Sequence, residues 1–171
     1  MSTAGLPPVH FCQMAWITND IDQAAALFRE RHGTGEFFFI RNLEAQLAGD
    51  KIAWMNLAVA DAGGIDIELI EPLGGDDQVW REILRGDGGF EMRFLHHANL
   101  VSSRADLDRL KAEGIAQGFP VSVEGRSTEG PGFFYIDCHA TLGHHVEYLY
   151  AERRLSESMA AAGKSDTGHQ A

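Results

Sequence analysis

A strand, a helix and then three strands follow one another twice along this chain, and that repeat limits the fold more than any other feature. Residues 10–18 read as a strand. A helix is expected over 20–32: Asn19 or Asp20 can cap its free N–H groups, Ile21, Ala24, Ala25 and Phe28 share one face, and Gly33 stands where a terminating glycine belongs. Strands are expected at 36–40, 52–60 and 65–71, the last two joined by the turn Asp61-Ala62-Gly63-Gly64. The second half repeats the order. A strand is expected at 94–101, then a helix over 105–113 capped by Ser102 or Ser103 and stopped by Gly114, then strands near 120–123, 132–137 and 144–150. The expected fold is therefore α+β, with two βαβββ modules at 10–72 and 94–150 forming a cleft. An arm of residues 1–9 precedes them, a linker with a short helix fills 73–93, and residues 125–132 form a loop. The tail, 151–171, begins with helix formers and turns polar, so its last ten or so residues are expected to be disordered.

Composition narrows the function. A formal net charge of −11 argues against a nucleic-acid partner and against attraction to anionic membranes. No run of apolar residues is long enough to span a bilayer, and the N-terminus lacks the basic and apolar regions of a signal peptide. Cys12 and Cys138 are the only cysteines and read as reduced thiols, so the expected compartment is cytoplasmic. Arg41, Arg81, Arg93 and Arg126 could anchor an anionic ligand or could be solvated surface.

Four polar residues sit on strands at repeat-related places. Gln13 and His97 lie in the opening strands of the two halves, and Glu68 and Glu147 in their closing strands. In 65–71, Ile65, Ile67 and Leu69 share one face and Glu68 takes the other. Glu147 opposes Val146 and Tyr148 in the same way. In 95–101, Ala98 and Leu100 share a face with His96, while His97 points opposite with Asn99; we expect the His97 face to meet the cleft. Alternation alone does not choose a side for Gln13. An amide, an imidazole and two carboxylates suit a divalent cation in five- or six-fold coordination. Each taken alone has a plainer reading as a solvated face or a satisfied core group; the matched positions favour the joint one.

With these residues the chain resembles the vicinal-oxygen-chelate (glyoxalase/bleomycin-resistance/dioxygenase) superfamily, and looks closest to its glyoxalase I and methylmalonyl-CoA epimerase branch. The resemblance rests on residues 13–28, GTGEFF at 33–38, IELIEP at 67–72, FLHHANL at 94–100 and FFYIDCHATLGHHVEYLY at 133–150. It implies a glyoxalase-like fold and one divalent metal ion (Zn, Ni, Co, Mn or Fe) held by Gln13, Glu68, His97 and Glu147, with His96 as the competitor for the third position. It further implies a lyase or isomerase that moves a proton through an enediolate or enolate of a small oxygenated substrate, such as a thioester or hemithioacetal. Glu147 would be the base, and Gln13 would orient or stabilise. Many members are homodimers, with sites built within one chain or across two. Two rivals remain: a non-catalytic binder of the bleomycin-resistance type, and an iron-dependent ring-cleaving dioxygenase. Phe37–Phe39, Trp54 and Phe133–Tyr135 could line the binder's cleft or belong to the core. His145 shares the Glu147 face and could touch substrate, although a surface hairpin position is the plainer expectation.

Overall fold

The computed structural model describes residues 6–126 and 132–166. Residues 1–5 of the expected arm, 127–131 of the expected loop and 167–171 of the expected tail lie outside the described residues. The elements are β1 (Val9–Thr18), α1 (Ile21–His32), β2 (Phe38–Leu47), β3 (Lys51–Asp61), β4 (Asp66–Gly75), α2 (Gln78–Arg81), β5 (Met92–Val101), α3 (Arg104–Ala116), β6 (Val121–Arg126), β7 (Gly132–Asp137), α4 (His139–Leu142), β8 (His145–Tyr150) and α5 (Leu155–Asp166). The strand order is β1-β4-β3-β2-β6-β7-β8-β5, closed into a barrel. The β-α-β-β-β order occurs twice, and the two opening strands, β1 and β5, pair antiparallel at the centre. Each opening strand also pairs in parallel with the closing strand of its own half, β1 with β4 and β5 with β8.

Alternation explains which side chains meet the two helices outside the barrel. Ile21, Ala24, Ala25 and Phe28 of α1 bury against Ala58, Ala60, Ile67 and Leu69. Burying a ring the size of Phe28 contributes about 2 kcal/mol. Asp20 caps α1 by accepting from the Gln23 N–H at 2.9 Å. Gly33 ends it at a φ of 64°, a left-handed conformation that costs a residue with a Cβ. On the other side, Leu107 and Leu110 of α3 pack on Val101, Phe134 and Ile136. The inward faces hold Ala15, Ile17, Met55, Ile70, Leu95 and Tyr135, and Trp80 of α2 is buried among them.

Three segments differ from the sequence expectation. Strand β2 runs to Leu47, well past residue 40, because its pairing with β3 shifts register between Ile40 and Leu43. Asn42 takes a φ of 53° there, and its N–H donates to Oδ1 of Asn56 at 3.0 Å. Helix α3 continues past Gly114, which is buried against β7. A Cβ at 114 would lie 2.7 Å from Cδ1 of Ile136, so glycine lets helix and sheet touch rather than ending the helix. The tail is helical through Asp166, and α5 is docked by Asp66 of β4. That buried carboxylate accepts from Arg154 Nη1 at 2.8 Å, the Ser156 hydroxyl at 2.5 Å and the Ser156 N–H at 3.1 Å.

The barrel closes between β2 and β6, and the described residues show where. Leu47 pairs with Gly125, and the Ala48 N–H donates to the Glu124 carbonyl at 2.9 Å.

Candidate metal centre

Strand register brings one polar side chain from each of four adjacent strands, β4, β1, β5 and β8, to the barrel interior. Across β1 and β5, Gln13 faces Ala98 and Ala15 faces His96. Along the parallel pairs, Gln13 aligns with Asp66 and Ala15 with Glu68, while His96 aligns with His145 and Ala98 with Glu147. Two cross-strand rows result. One runs Tyr135, Glu147, Ala98, Gln13, Asp66; its neighbour runs Asp137, His145, His96, Ala15, Glu68. A pseudo-twofold relates the halves, exchanging Gln13 with His96, Ala15 with Ala98 and Glu68 with Glu147. The irregularities obey it too: the register shifts fall at Cys12, just before Gln13, and at Leu95, just before His96. Each shift turns the following residue inward.

This register does not bring His97 to the interior. His97 faces outward, where its Nδ1 lies 2.9 Å from Nε2 of His144 and its ring is 6.0 Å from that of Phe11. There it lines a separate crevice of about 300 Å³ beneath α3, with Asn99, Leu110 and Cys138. His96 takes the inward place and is fully buried. The expectation took the more polar face of β5 as the cleft side, whereas the interior face carries its polar groups among alanines. The cap of α3 is Ser103, whose hydroxyl oxygen accepts from the Asp106 N–H at 3.1 Å. Gln13 stands seven residues before the cap Asp20, and His96 stands seven before Ser103. That spacing was available in the sequence.

Gln13, Glu68, His96 and Glu147 are all buried, at 5%, 7%, 0% and 7% exposure. Nε2 of His96 lies 2.9 Å from Oε2 of Glu147 and 3.8 Å from Oε2 of Glu68. Close as they are, neither ring nitrogen of His96 makes a hydrogen bond. Burial raises the Glu68 carboxyl well above its usual range, Glu147 and then Asp66 add repulsion, and a hydrogen bond from the Gln13 amide opposes them. Two carboxylates buried together carry a desolvation cost of several kcal/mol each unless a cation or protons offset it. An unbonded imidazole nitrogen between two such acids fits a divalent cation, and rotating the Gln13 amide would present its oxygen to the same point. All four residues come from one chain.

Tyr135 completes the interior wall. Its ring lies 4.8 Å from that of His96, and Trp80 Nε1 donates to its hydroxyl at 3.5 Å, a long contact. Burial, then Glu147 and Glu68, hold its phenol well above the usual range, so it stays protonated. His145 is buried at 6% exposure, not on the surface of a hairpin. Burial and then His139 push it down to about 4, so its imidazole is neutral near pH 7.

A cavity of about 860 Å³ opens at one end of the barrel between the β2–β3 turn, α2, β6 and the β7–β8 connection. It reaches His145, Leu47 and Val123 but none of the four clustered residues, so His145 stands between the open space and His96. Its lining carries Asp76, Glu82, Glu124 and Asp137 against the single cation Lys51 among the described residues. The remaining sequence candidates lie elsewhere. Arg41 pairs with Asp22 at 2.6 Å and Arg81 pairs with Asp77. Phe37 and Phe39 pack beneath α1, and Phe134 beneath α3.

The chain is thus a barrel of two βαβββ repeats with an amide, an imidazole and two carboxylates buried on four adjacent strands. The chain belongs to the glyoxalase/bleomycin resistance protein/dioxygenase superfamily, whose family model matches residues 12–135. Solved structures share the fold at low identity. A methylmalonyl-CoA epimerase from Mycobacterium tuberculosis is 20% identical, with a TM-score of 0.56 over 94% of this chain and 97% of its own. A hypothetical protein from Bacillus halodurans C-125 is 14% identical, with a TM-score of 0.58 over 85% and 96%. A variant of the Streptomyces coelicolor methylmalonyl-CoA epimerase, in complex with 2-nitronate-propionyl-CoA, is 15% identical, with a TM-score of 0.54 over 87% and 100%. No curated protein matches the chain. No helix among the described residues is long and apolar enough to cross a membrane.

Proposed function

We propose that the chain is an isomerase or lyase of the glyoxalase-like type, which holds one divalent metal ion between Gln13, Glu68, His96 and Glu147 and moves a proton between neighbouring atoms of a small oxygenated substrate. The observation that carries this reading is the fully buried His96, whose ring nitrogens lack hydrogen bonds although Nε2 lies within 4 Å of two carboxylates. A bound divalent ion would act as a Lewis acid toward substrate oxygens. Glu147 is the base in this reading. It borders Tyr135 and, through Ala98, the centre of the cluster, whereas Glu68 accepts from Gln13. Gln13 orients Glu68 and abstracts nothing, because an amide is a poor base. Tyr135, kept protonated, can donate to a developing oxygen charge. His145, between the cavity and the cluster, can help hold the substrate's outer end.

The epimerase neighbours support a carbon acid next to a thioester carbonyl as the substrate class. The acidic cavity lining weighs against a long polyanionic tail and favours a compact, weakly charged molecule. All four donors belong to one chain, so a homodimer would not have to share the site.

The test is metal analysis of the full chain, followed by deuterium wash-in at the 2-position of short acyl thioesters, with hemithioacetal turnover alongside. Stoichiometric metal, with exchange above buffer that Glu147→Gln lowers by a factor of about 10²–10⁴, is the expected result. A chain that binds no metal and keeps its melting temperature in chelator would instead be a binder of the bleomycin-resistance type. Oxygen uptake with catechols after iron loading would move the reading to ring cleavage.

A further inference from the structure

We propose that Asp137, His139 and His145 form a second cation site, distinct from the interior cluster, which takes a borderline divalent ion such as Zn²⁺, Ni²⁺ or Co²⁺ at the mouth of the barrel. Their ligand atoms all lie within 4.8 Å of one another. They bracket the β7–β8 connection: Asp137 ends β7, His139 opens α4 and His145 begins β8. Asp137 and His145 are directly paired across the strands, and α4 begins at His139, folding it back over that pair. The His139 and His145 rings meet edge to face with centroids 4.5 Å apart, and Nδ1 of His139 lies 2.8 Å from Oδ1 of Asp137.

A separate observation points to a ligand. His145 is 94% buried by its 6% exposure, yet its Nδ1 has no hydrogen-bond partner. A buried imidazole nitrogen left unpaired is unfavourable, and a bound cation would offset that cost. All three residues line the large cavity, so the coordination positions the protein leaves open face the space a small molecule enters. Two imidazoles and one carboxylate match ions of intermediate softness, and three protein ligands leave room for water or substrate. The site differs from the interior one in its ligands. It offers two nitrogens and one carboxylate, at the barrel mouth, where the interior offers one nitrogen, two carboxylates and an amide.

The two sites separate experimentally. The untagged full chain, stripped with chelator, is titrated with Zn²⁺ by calorimetry and with Co²⁺ by visible absorption, with bound metal counted by elemental analysis. The expected result is two equivalents per chain. His139→Ala and Asp137→Asn each leave one, or weaken the second by more than about tenfold. Glu68→Gln removes the other and spares the mouth site. His139 is exposed and Asp137→Asn is nearly isosteric, so folding is not at stake in either. A single equivalent that Glu68→Gln abolishes and neither mouth variant changes would overturn the second site and leave the interior reading standing. A single equivalent lost with His139→Ala alone would keep the mouth site and remove the interior one. No binding in any form would overturn both.

Discussion

Ala98 of β5 lies directly across from Gln13 of β1, so the amide faces a side chain of a single methyl group. Ala15 stands in the same relation to His96. Room for an ion between the donors would therefore depend on two methyl groups as much as on the donors. Ala98→Val should fill it. We expect a folded protein destabilised by about 1–3 kcal/mol, as for other overpacked cores, with interior metal uptake lost. Denaturant melts and metal counts of the same sample check both halves of the expectation.

Adjacent histidines give a sharp contrast. His96→Gln should weaken interior metal binding by more than about a hundredfold, since even outer-shell changes cost 10–100-fold. His97→Gln should change it less than threefold, because that ring faces His144 outside the barrel. Paired chelator-competition titrations decide it, and equal losses would mean the register is wrong.

The thiols should respond differently to a disulfide reagent. Cys12 sits in the β1 irregularity, its Sγ donates to the Ala98 carbonyl at 3.5 Å, and burial, aided by Glu147, pushes its pKa up to about 12. At pH 8 its thiolate fraction is then about 10⁻⁴. Cys138 is also raised by burial but is only half-buried at the crevice under α3. One thiol per native chain should react within minutes and the second only in denaturant; prompt reaction of two would show that the barrel opens at β1.

Arg154 holds α5 to the barrel by pairing with buried Asp66 at 2.8 Å and with Asp61 at 2.7 Å. Arg154→Ala leaves Asp66 without its counter-charge, although Ser156 still donates to it twice. The loss should be about 3 kcal/mol, at the lower end for a broken buried pair. Urea unfolding at pH 7 measures it, and limited proteolysis should release the C-terminal helix first.

The repeat, both caps and the inward orientation of Glu68 and Glu147 were legible in the sequence because alternation and capping are local signals. Gln13, Glu68 and Glu147 are all buried. The choice between His96 and His97 was obscured by the irregularity at Leu95, which leaves the polar face of β5 pointing at α3 rather than at the cleft. The length of β2 was hidden by Asn42, whose left-handed turn breaks the alternation that announces a strand. Neither the burial of His145 nor its meeting with Asp137 and His139 could be read from spacing alone, since both depend on how the β7–β8 connection folds over the barrel mouth.

The closing edge has a consequence for local opening. Among the described residues, β2 and β6 are joined through Leu47, Ala48, Glu124 and Gly125, whereas β1 is flanked by paired strands on both sides. The Ala48 amide, just past the end of its strand, should therefore exchange with solvent deuterium sooner than the paired amides in the middle of β1.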